Sequence, residues 1–225
     1  IMKFNMFSRL PLSYGFMALL FSTLLSTANS AGLDQEAIER GKNLTGACIA
    51  CHQVNGSGMS IPGAETWPRL AGLDRDYIAA QLKAIKEGTR ASPTMAPFAS
   101  ILSEAQMLDV GSYYASLPAV QLPIMKAEKA LLDHGEKLAN QGDMARGILP
   151  CASCHGPGNQ GMGSMYPALA GQYPGYITQQ LKAWKSGARK NDPANLMGAV
   201  AANLDDKDIQ AVSAWMANLP IKANQ

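Results

Sequence analysis

The stretch that decides the fold of this chain is Cys151-Ala152-Ser153-Cys154-His155, and Cys48-Ile49-Ala50-Cys51-His52 is an earlier copy of the same pattern. The two copies contain all four cysteines and two of the three histidines of the 225-residue chain. On a helical turn, a Cys three residues on and a His four residues on lie on one face. Two thiols there can add to the vinyl groups of a porphyrin, while the imidazole points at the iron. The pattern therefore predicts two covalently bound haems c.

Two other chemistries are compatible with paired cysteines. In an oxidising compartment each Cys-x-x-Cys pair could close as a disulfide, and the spacing also permits a shared zinc site. Neither explains the His that follows each pair, and the sequence around the pairs is repeated as well. We therefore favour haem.

Residues 1–31 have the composition of a secretory signal peptide. Lys3 and Arg9 precede an apolar run from Gly15 to Leu25, and small residues follow up to Ala31. The run is shorter than the roughly 20 residues that span a bilayer, so we expect cleavage and export to the periplasm, with an uncleaved anchor as the alternative. Removing these two cations from the 19 basic residues leaves 17 against 17 acidic residues. This balance gives no indication of nucleic-acid binding.

The rest of the chain is a tandem repeat. Residues 77–90 match residues 176–189 at an offset of 99, and residues 68–72 match residues 167–171 at the same offset. The repeated unit has the size of one small domain. We expect domains at 32–118 and 127–225, joined by a proline-containing linker at 119–126.

Helical periodicity and capping signals predict an all-α fold. A capping box at residues 103–106 opens one of the helices, and no alternating strand pattern of any length occurs. We expect each domain to wrap around one haem, because a flat cofactor supplies apolar area that so short a chain cannot bury alone. The predicted helices are 34–44, 77–90, 103–117, 126–140, 176–189 and 205–219.

The repeat also selects a sixth ligand for each iron. Met95 lies 43 residues after His52, and Met197 lies 42 residues after His155, both in predicted loops. A thioether opposite a histidine favours reduced iron. We expect His52 with Met95, and His155 with Met197, as metal ligands; core packing of the two methionines is the alternative.

Weaker expectations concern neighbours of the haems. Pro68 and Pro167 are expected to brace the haem histidines through their carbonyls, with Pro62 competing in the first copy. Arg90 and Arg189 occupy equivalent positions, where they could pair with haem propionates or end a helix in solvent.

Residues without a repeat partner are expected to be structural. Met107 and Met216 lie within predicted helices at non-equivalent places, where core packing is expected. His134 has no Cys pattern and is expected at the surface or at a helix end.

Taken together, the motifs resemble the dihaem cytochrome c4 family. Two Cys-x-x-Cys-His units are each followed by Pro-x-Leu-Ala-Gly, Tyr-Ile-x-x-Gln-Leu-Lys, Gly-x-Arg and a loop Met. The resemblance covers essentially the whole chain after residue 31. It implies two class I cytochrome c domains related by a pseudo-twofold axis, in a periplasmic carrier that delivers electrons towards a terminal oxidase. An extra segment at 141–149 and the loop at 61–62 depart from the pattern.

Three functions follow from these features. We favour a one-electron carrier of a respiratory chain, fed by an upstream reductase or a cytochrome bc1-type complex; peripheral association with a membrane is compatible with it. The second is a subunit or dedicated electron acceptor of a periplasmic dehydrogenase, for example one that oxidises thiosulfate or an alcohol. A dihaem peroxidase-like enzyme ranks last, because both copies offer a matched Met. No catalytic residue is therefore expected.

Overall fold

A computed structural model describes residues 34–222 except 62 and 64. The predicted signal peptide lies outside the described residues. The described chain is mostly helical, so the all-α prediction is confirmed. No helix between residues 34 and 222 has the length and apolar character needed to cross a bilayer.

Five α-helices form the described part of the first copy. Asp34 caps α1, and Asp74 caps α3 by accepting a hydrogen bond from the backbone of Tyr77, so α3 starts two residues earlier than predicted. The capping box between Ser103 and Gln106 is present at α5. The helices are α1 (Gln35–Leu44), α2 (Ile49–His52), α3 (Arg75–Lys86), α4 (Ala96–Ser100) and α5 (Glu104–Ser116).

Five more α-helices form the described part of the second copy, in the same order. The extra segment adds a single 3-10 turn, Met144–Arg146, which a bridge between Asp143 and Ile148 closes. The helices are α6 (Lys129–Gln141), α7 (Ala152–His155), α8 (Pro174–Lys185), α9 (Leu196–Asn203) and α10 (Asp206–Ala217).

Some segments that the sequence predicts as loops contain strands or helices in the structure. A short antiparallel pair, β1 (Met59–Ser60) and β2 (Thr66–Trp67), forms in the first copy. Two helices, α4 and α9, occupy segments predicted as loops. Met95 is the residue before α4, but Met197 lies in the first turn of α9, so the predicted loop position of Met197 is wrong.

A capping contact explains α9. The Asp192 carboxylate accepts a hydrogen bond of 2.7 Å from the backbone N–H of Met197. This side chain satisfies a free N–H at the helix start. The cap comes from five residues away, and α9 is apolar on all sides, so neither capping spacing nor periodicity marks it in the sequence.

Each copy has its own hydrophobic core. In both copies the first helix crosses the last one, as α1 crosses α5 and α6 crosses α10. The helix with the repeated Tyr-Ile-x-x-Gln-Leu-Lys sequence, α3 or α8, also packs against the last helix. Met107 and Met216 are buried in these cores, as predicted. The buried residues that build them include Ile78, Leu82, Val110 and Tyr114 in the first copy and Leu138, Ile177, Leu181, Ile209 and Val212 in the second.

The two copies also contact each other symmetrically. Residues 89–91 pair with residues 188–190 through an antiparallel bridge between Arg90 and Arg189, with backbone hydrogen bonds of 2.9 and 3.1 Å on either side. Equivalent segments therefore meet each other, which is the arrangement that a pseudo-twofold relation requires.

Candidate cofactor site

In each copy, the backbone carbonyl of a proline accepts a hydrogen bond from the histidine of the Cys-x-x-Cys-His motif. His52 Nδ1 lies 2.9 Å from the carbonyl oxygen of Pro68, and His155 Nδ1 lies 2.8 Å from that of Pro167. Because a carbonyl only accepts, Nδ1 carries the proton and donates it, which leaves the Nε2 lone pair for a metal. The predicted bracing by Pro68 and Pro167 is thus present in the structure.

The protonation state of the two imidazoles suits metal binding. Burial lowers the pKa of His52 and of His155, and the hydrogen bond to the proline carbonyl only partly opposes this. Both rings are therefore neutral at pH 7, and the neutral imidazole is the form that binds a metal.

A cavity of about 580 Å³ lies beside both histidines. His155 Nε2 is buried and has no hydrogen-bond partner in the described part of the chain, as expected for a nitrogen whose partner is a metal. Aliphatic side chains such as Leu70, Leu82, Ile177 and Leu181 supply much of the wall, and such a wall suits a flat apolar macrocycle. The residues present therefore fit an iron porphyrin.

The structure brings the eight predicted site residues to this cavity or to a smaller one of about 70 Å³ that shares Cys48, His52 and Met95 with it. Cys51 lines the smaller cavity. In the second copy, the larger cavity is lined by Cys151, Cys154, His155 and Met197.

The two alternative uses of the cysteines do not fit the structure. No disulfide joins any of the four cysteines in the structure. Nowhere in residues 34–61, 63 and 65–222 do three side chains of His, Cys, Asp or Glu converge as a metal-ion site requires. Disulfide pairing and a shared zinc site are therefore not supported.

The two copies differ beside their histidines. In the first copy the fully buried ring of Tyr114 meets the His52 ring edge-on at 6.5 Å between centroids. In the second copy Met216 takes the equivalent place, and the Tyr166 ring meets His155 at 6.1 Å instead. The alignment of Leu117 with Leu219 pairs Tyr114 with Met216 in the sequence.

Arg90 and Arg189 lie at the boundary of the two copies and line the cavity. Arg90 donates to the Tyr176 hydroxyl at 2.7 Å and to Gln180 at 3.2 Å, and Arg189 donates to Gln81 at 2.8 Å. Each guanidinium therefore reaches into the other copy. Since Arg189 is only 4% exposed and Arg90 is hydrogen-bonded on both sides, the expectation of a solvated helix end is wrong.

These two cations have no carboxylate partner among the described residues. Their hydrogen bonds go to glutamines, tyrosines and Asn191, and Arg189 also stacks 3.8 Å above the Trp184 ring. Burial acts to raise the pKa of Tyr176, but the two guanidiniums outweigh it and lower that pKa. Both guanidiniums therefore line the cavity without an ion pair to a carboxylate of the described chain, although Glu65 and Asp192 line the same cavity.

The comparisons with known proteins agree with this architecture. The Cytochrome c family model matches residues 38–118 and 133–220. The thiosulfate dehydrogenase electron acceptor of Thiomonas intermedia (strain K12) is 42% identical over 175 residues, covering 78% of this chain and 79% of that protein. Cytochrome c4 of Thiocapsa roseopersicina is 36% identical over 176 residues, covering 77% of this chain and 88% of that protein.

A solved structure also supports the two-domain cytochrome c fold. The thiosulfate dehydrogenase of Marichromatium purpuratum superimposes with a TM-score of 0.74 at 37% identity over 82% of this chain. This chain spans only 40% of the length of that protein. Because the Cytochrome c match recurs in both copies and the cytochrome c4 relative aligns across them, the chain is an electron-transfer protein that belongs to the dihaem cytochrome c4 family.

Proposed function

We propose that this chain is a periplasmic one-electron carrier in which His52 and Met95 bind one haem iron and His155 and Met197 bind the other. The observation that carries the proposal is the buried Nε2 of His155, which no described residue hydrogen-bonds, in a cavity that Met197 also lines. Thioether links to the haems are assigned to the motif cysteines Cys48, Cys51, Cys151 and Cys154.

The haem supplies one-electron chemistry when it is bound, and the protein positions and tunes it. The Pro68 and Pro167 carbonyls fix the orientation of the histidine rings and make Nε2 a stronger donor. Thioether sulfurs from Met95 and Met197, as iron ligands, would favour the reduced iron. For the haem propionates we assign Arg90 and Arg189, which line the cavity and form no ion pair with a carboxylate of the described chain.

The ligand assignment is tested by Met95→Ala and Met197→Ala in the haem-loaded protein. We expect each variant to lose the thioether-to-iron charge-transfer absorption of one haem and to lower one of the two reduction potentials. Met107→Leu is the control, because Met107 is a fully buried core methionine that lines neither cavity. If both alanine variants keep the full absorption, the two methionines are core residues and the assignment is wrong.

A second proposal concerns the electron donor. Among the relatives described above, the protein with the higher identity is named as a thiosulfate dehydrogenase electron acceptor, and cytochrome c4 is less similar. This difference favours a role as the acceptor of a thiosulfate dehydrogenase over delivery of electrons from a cytochrome bc1-type complex to a terminal oxidase.

The donor is identified by stopped-flow reduction of the oxidised protein. One reaction contains a thiosulfate dehydrogenase with thiosulfate, and the other contains a cytochrome bc1-type complex with reduced quinol. The acceptor role predicts faster reduction in the first reaction and none when thiosulfate is omitted. Faster reduction by the quinol-driven complex would instead support the carrier of a respiratory chain that feeds a terminal oxidase.

Export is a separate part of the proposal, and it is supported by the composition of residues 1–31. The mature protein should be recovered from the periplasmic fraction with an N-terminus near Ala31. Its mass should exceed that of the polypeptide by two haems.

A further inference from the structure

Arg69 is a buried cation where the two copies meet. Its side chain is among the largest fully buried ones in the described chain, with 1% of the residue exposed. One guanidinium nitrogen donates to the carbonyl of Ala71 in its own copy, and another donates to the carbonyl of Ala170 in the second copy at 3.0 Å. These two alanines occupy equivalent positions in the repeat, so the charge lies between matching segments.

The interface holds Arg69 from the other side as well. The Gln172 side chain accepts from the Arg69 backbone N–H at 2.9 Å and donates to the Arg69 carbonyl at 3.0 Å. Gln172 is itself 3% exposed. This pair of bonds fixes the backbone from which the guanidinium extends.

Within the described residues, no acidic side chain pairs with Arg69. None of the ion pairs between described residues includes Arg69, and its Nε is buried without a partner among them. Burial lowers the pKa of Arg69 to about 10, which still leaves the guanidinium protonated at pH 7. The second copy has Ala168 at the equivalent position, so the interface carries one such cation and not a symmetric pair.

The two segments that Arg69 connects, 68–71 and 167–170, each contain the proline whose carbonyl accepts a hydrogen bond from a proposed haem ligand. Pro68, its chain neighbour, accepts the hydrogen bond of His52. Ala170 lies three residues after Pro167, which accepts that of His155. Leu70 and Leu169, which lie two residues after Pro68 and Pro167, line the cavity. The guanidinium is therefore enclosed by protein between the two haem sites.

We propose that Arg69 raises the reduction potentials of both haems, because its fixed positive charge favours the state that has gained an electron. The proposal rests on the function proposed above. Reduction adds one negative charge at an iron, and a buried positive charge stabilises that state because the surrounding protein screens it poorly. A unit charge about 12 Å from another, at an effective dielectric constant of about 20, changes an equilibrium roughly tenfold.

The test is a redox titration of the haem-loaded protein with three variants. Arg69→Gln removes the charge and keeps a donor for one carbonyl. Gln172→Glu keeps Arg69 and adds a negative charge at the same interface, so it tests the proposal even if Arg69→Gln does not fold. Gln172→Leu breaks the same interdomain hydrogen bonds without changing any charge, and it is the matched control.

We expect Arg69→Gln and Gln172→Glu to lower both potentials, by roughly tenfold in each one-electron equilibrium or about 59 mV, and Gln172→Leu to leave them near those of the unaltered protein. Unchanged potentials in both charge variants would overturn the proposal. An equal shift in Gln172→Leu would also overturn it, because loosening of the interface would then explain the effect. Failure of the His and Met assignment is recognised separately, by the absence of the thioether absorption in the unaltered protein.

Discussion

At the scale of a single residue, Asp208 is a buried carboxylate that accepts hydrogen bonds from three different residues. It is 1% exposed and accepts from His134 Nε2 at 2.8 Å, from the backbone N–H of Asp205 at 2.9 Å, and from Arg146. His134 therefore lies in the middle of α6, where its side chain remains 32% exposed but contacts a buried partner. Of the two expected places, the helix end is wrong. In the sequence, the feature that marks Asp208 as a structural carboxylate is the Asp205-x-x-Asp208 capping box at the start of α10.

The charge of Asp208 makes the stability of the second copy depend on pH. Burial opposes ionisation, but the hydrogen bonds from Asp205, Arg146 and His134 outweigh it and lower the pKa of Asp208. A carboxyl with a lowered folded-state pKa contributes its full stability above the ordinary aspartate value of about 3.9, and that contribution is lost as the pH falls through the folded-state value.

We predict that Asp208→Asn lowers the free energy of unfolding at pH 7 by about 2 kcal/mol, the size of hydrogen bonds to a charged group. The difference from the unaltered protein should shrink as the pH falls below about 4. Denaturant unfolding between pH 3 and pH 7 measures it. Asp206→Asn, at an exposed position in the same helix turn, should change stability little; a pH-independent deficit in Asp208→Asn would contradict the prediction.

At the scale of the elements, a glycine permits each crossing of the first and last helices. A side chain at Gly41 would collide with the Asp109 carbonyl of α5, and one at Gly135 would collide with the Ala211 carbonyl of α10. The backbones therefore approach more closely than any residue with a Cβ allows. Both glycines are buried within helices, where propensity alone would favour alanine.

Alanine at these two positions should therefore destabilise the protein. We predict that Gly41→Ala and Gly135→Ala each cost about 1–3 kcal/mol, because an added methyl group cannot fit without moving a helix. Gly46→Ala is the control, since nothing lies within 4 Å of a side chain there. Thermal unfolding of the three variants compares them, and equal melting temperatures for all three would show that the crossings are not close-packed.

At the scale of the whole molecule, the interface between the copies is polar, reciprocal and rich in arginine. Arg90 reaches Tyr176, and Arg189 reaches Tyr77, but the two contacts differ in quality: 2.7 Å in the first and 3.5 Å in the second. A hydrogen bond at 3.5 Å contributes little. The duplicated sequence therefore forms an interface whose two halves are not equally strong.

This difference supplies a matched pair of variants. We predict that Tyr176→Phe lowers the free energy of unfolding by about 1.5–3 kcal/mol, because it removes the acceptor of a charged donor in a half-buried site. Tyr77→Phe, at the equivalent position, should cost less than half as much. Equilibrium denaturation of both variants measures this, and equal losses would mean that the two contacts are equivalent in solution.

Much of the cofactor site follows from local sequence. The Cys-x-x-Cys-His spacing, the repeat and the caps at Asp34 and Ser103 each involve residues a few positions apart, so short-range geometry alone fixes them. The choice of Met95 and Met197 also came from the sequence, because a duplicated unit allows equivalent positions to be compared. In the structure both line the cavity beside the histidines.

By itself, the sequence determined the helical repeat and the residues that line the proposed haem cavity. Only the tertiary structure decided where Arg90 and Arg189 point, that His134 pairs with Asp208, and that Arg69 is enclosed between the copies. These contacts join residues 86, 112, 74 and 101 positions apart. No local rule of spacing or propensity encodes such pairs, because they form only when whole helices pack and exclude water from the charges between them.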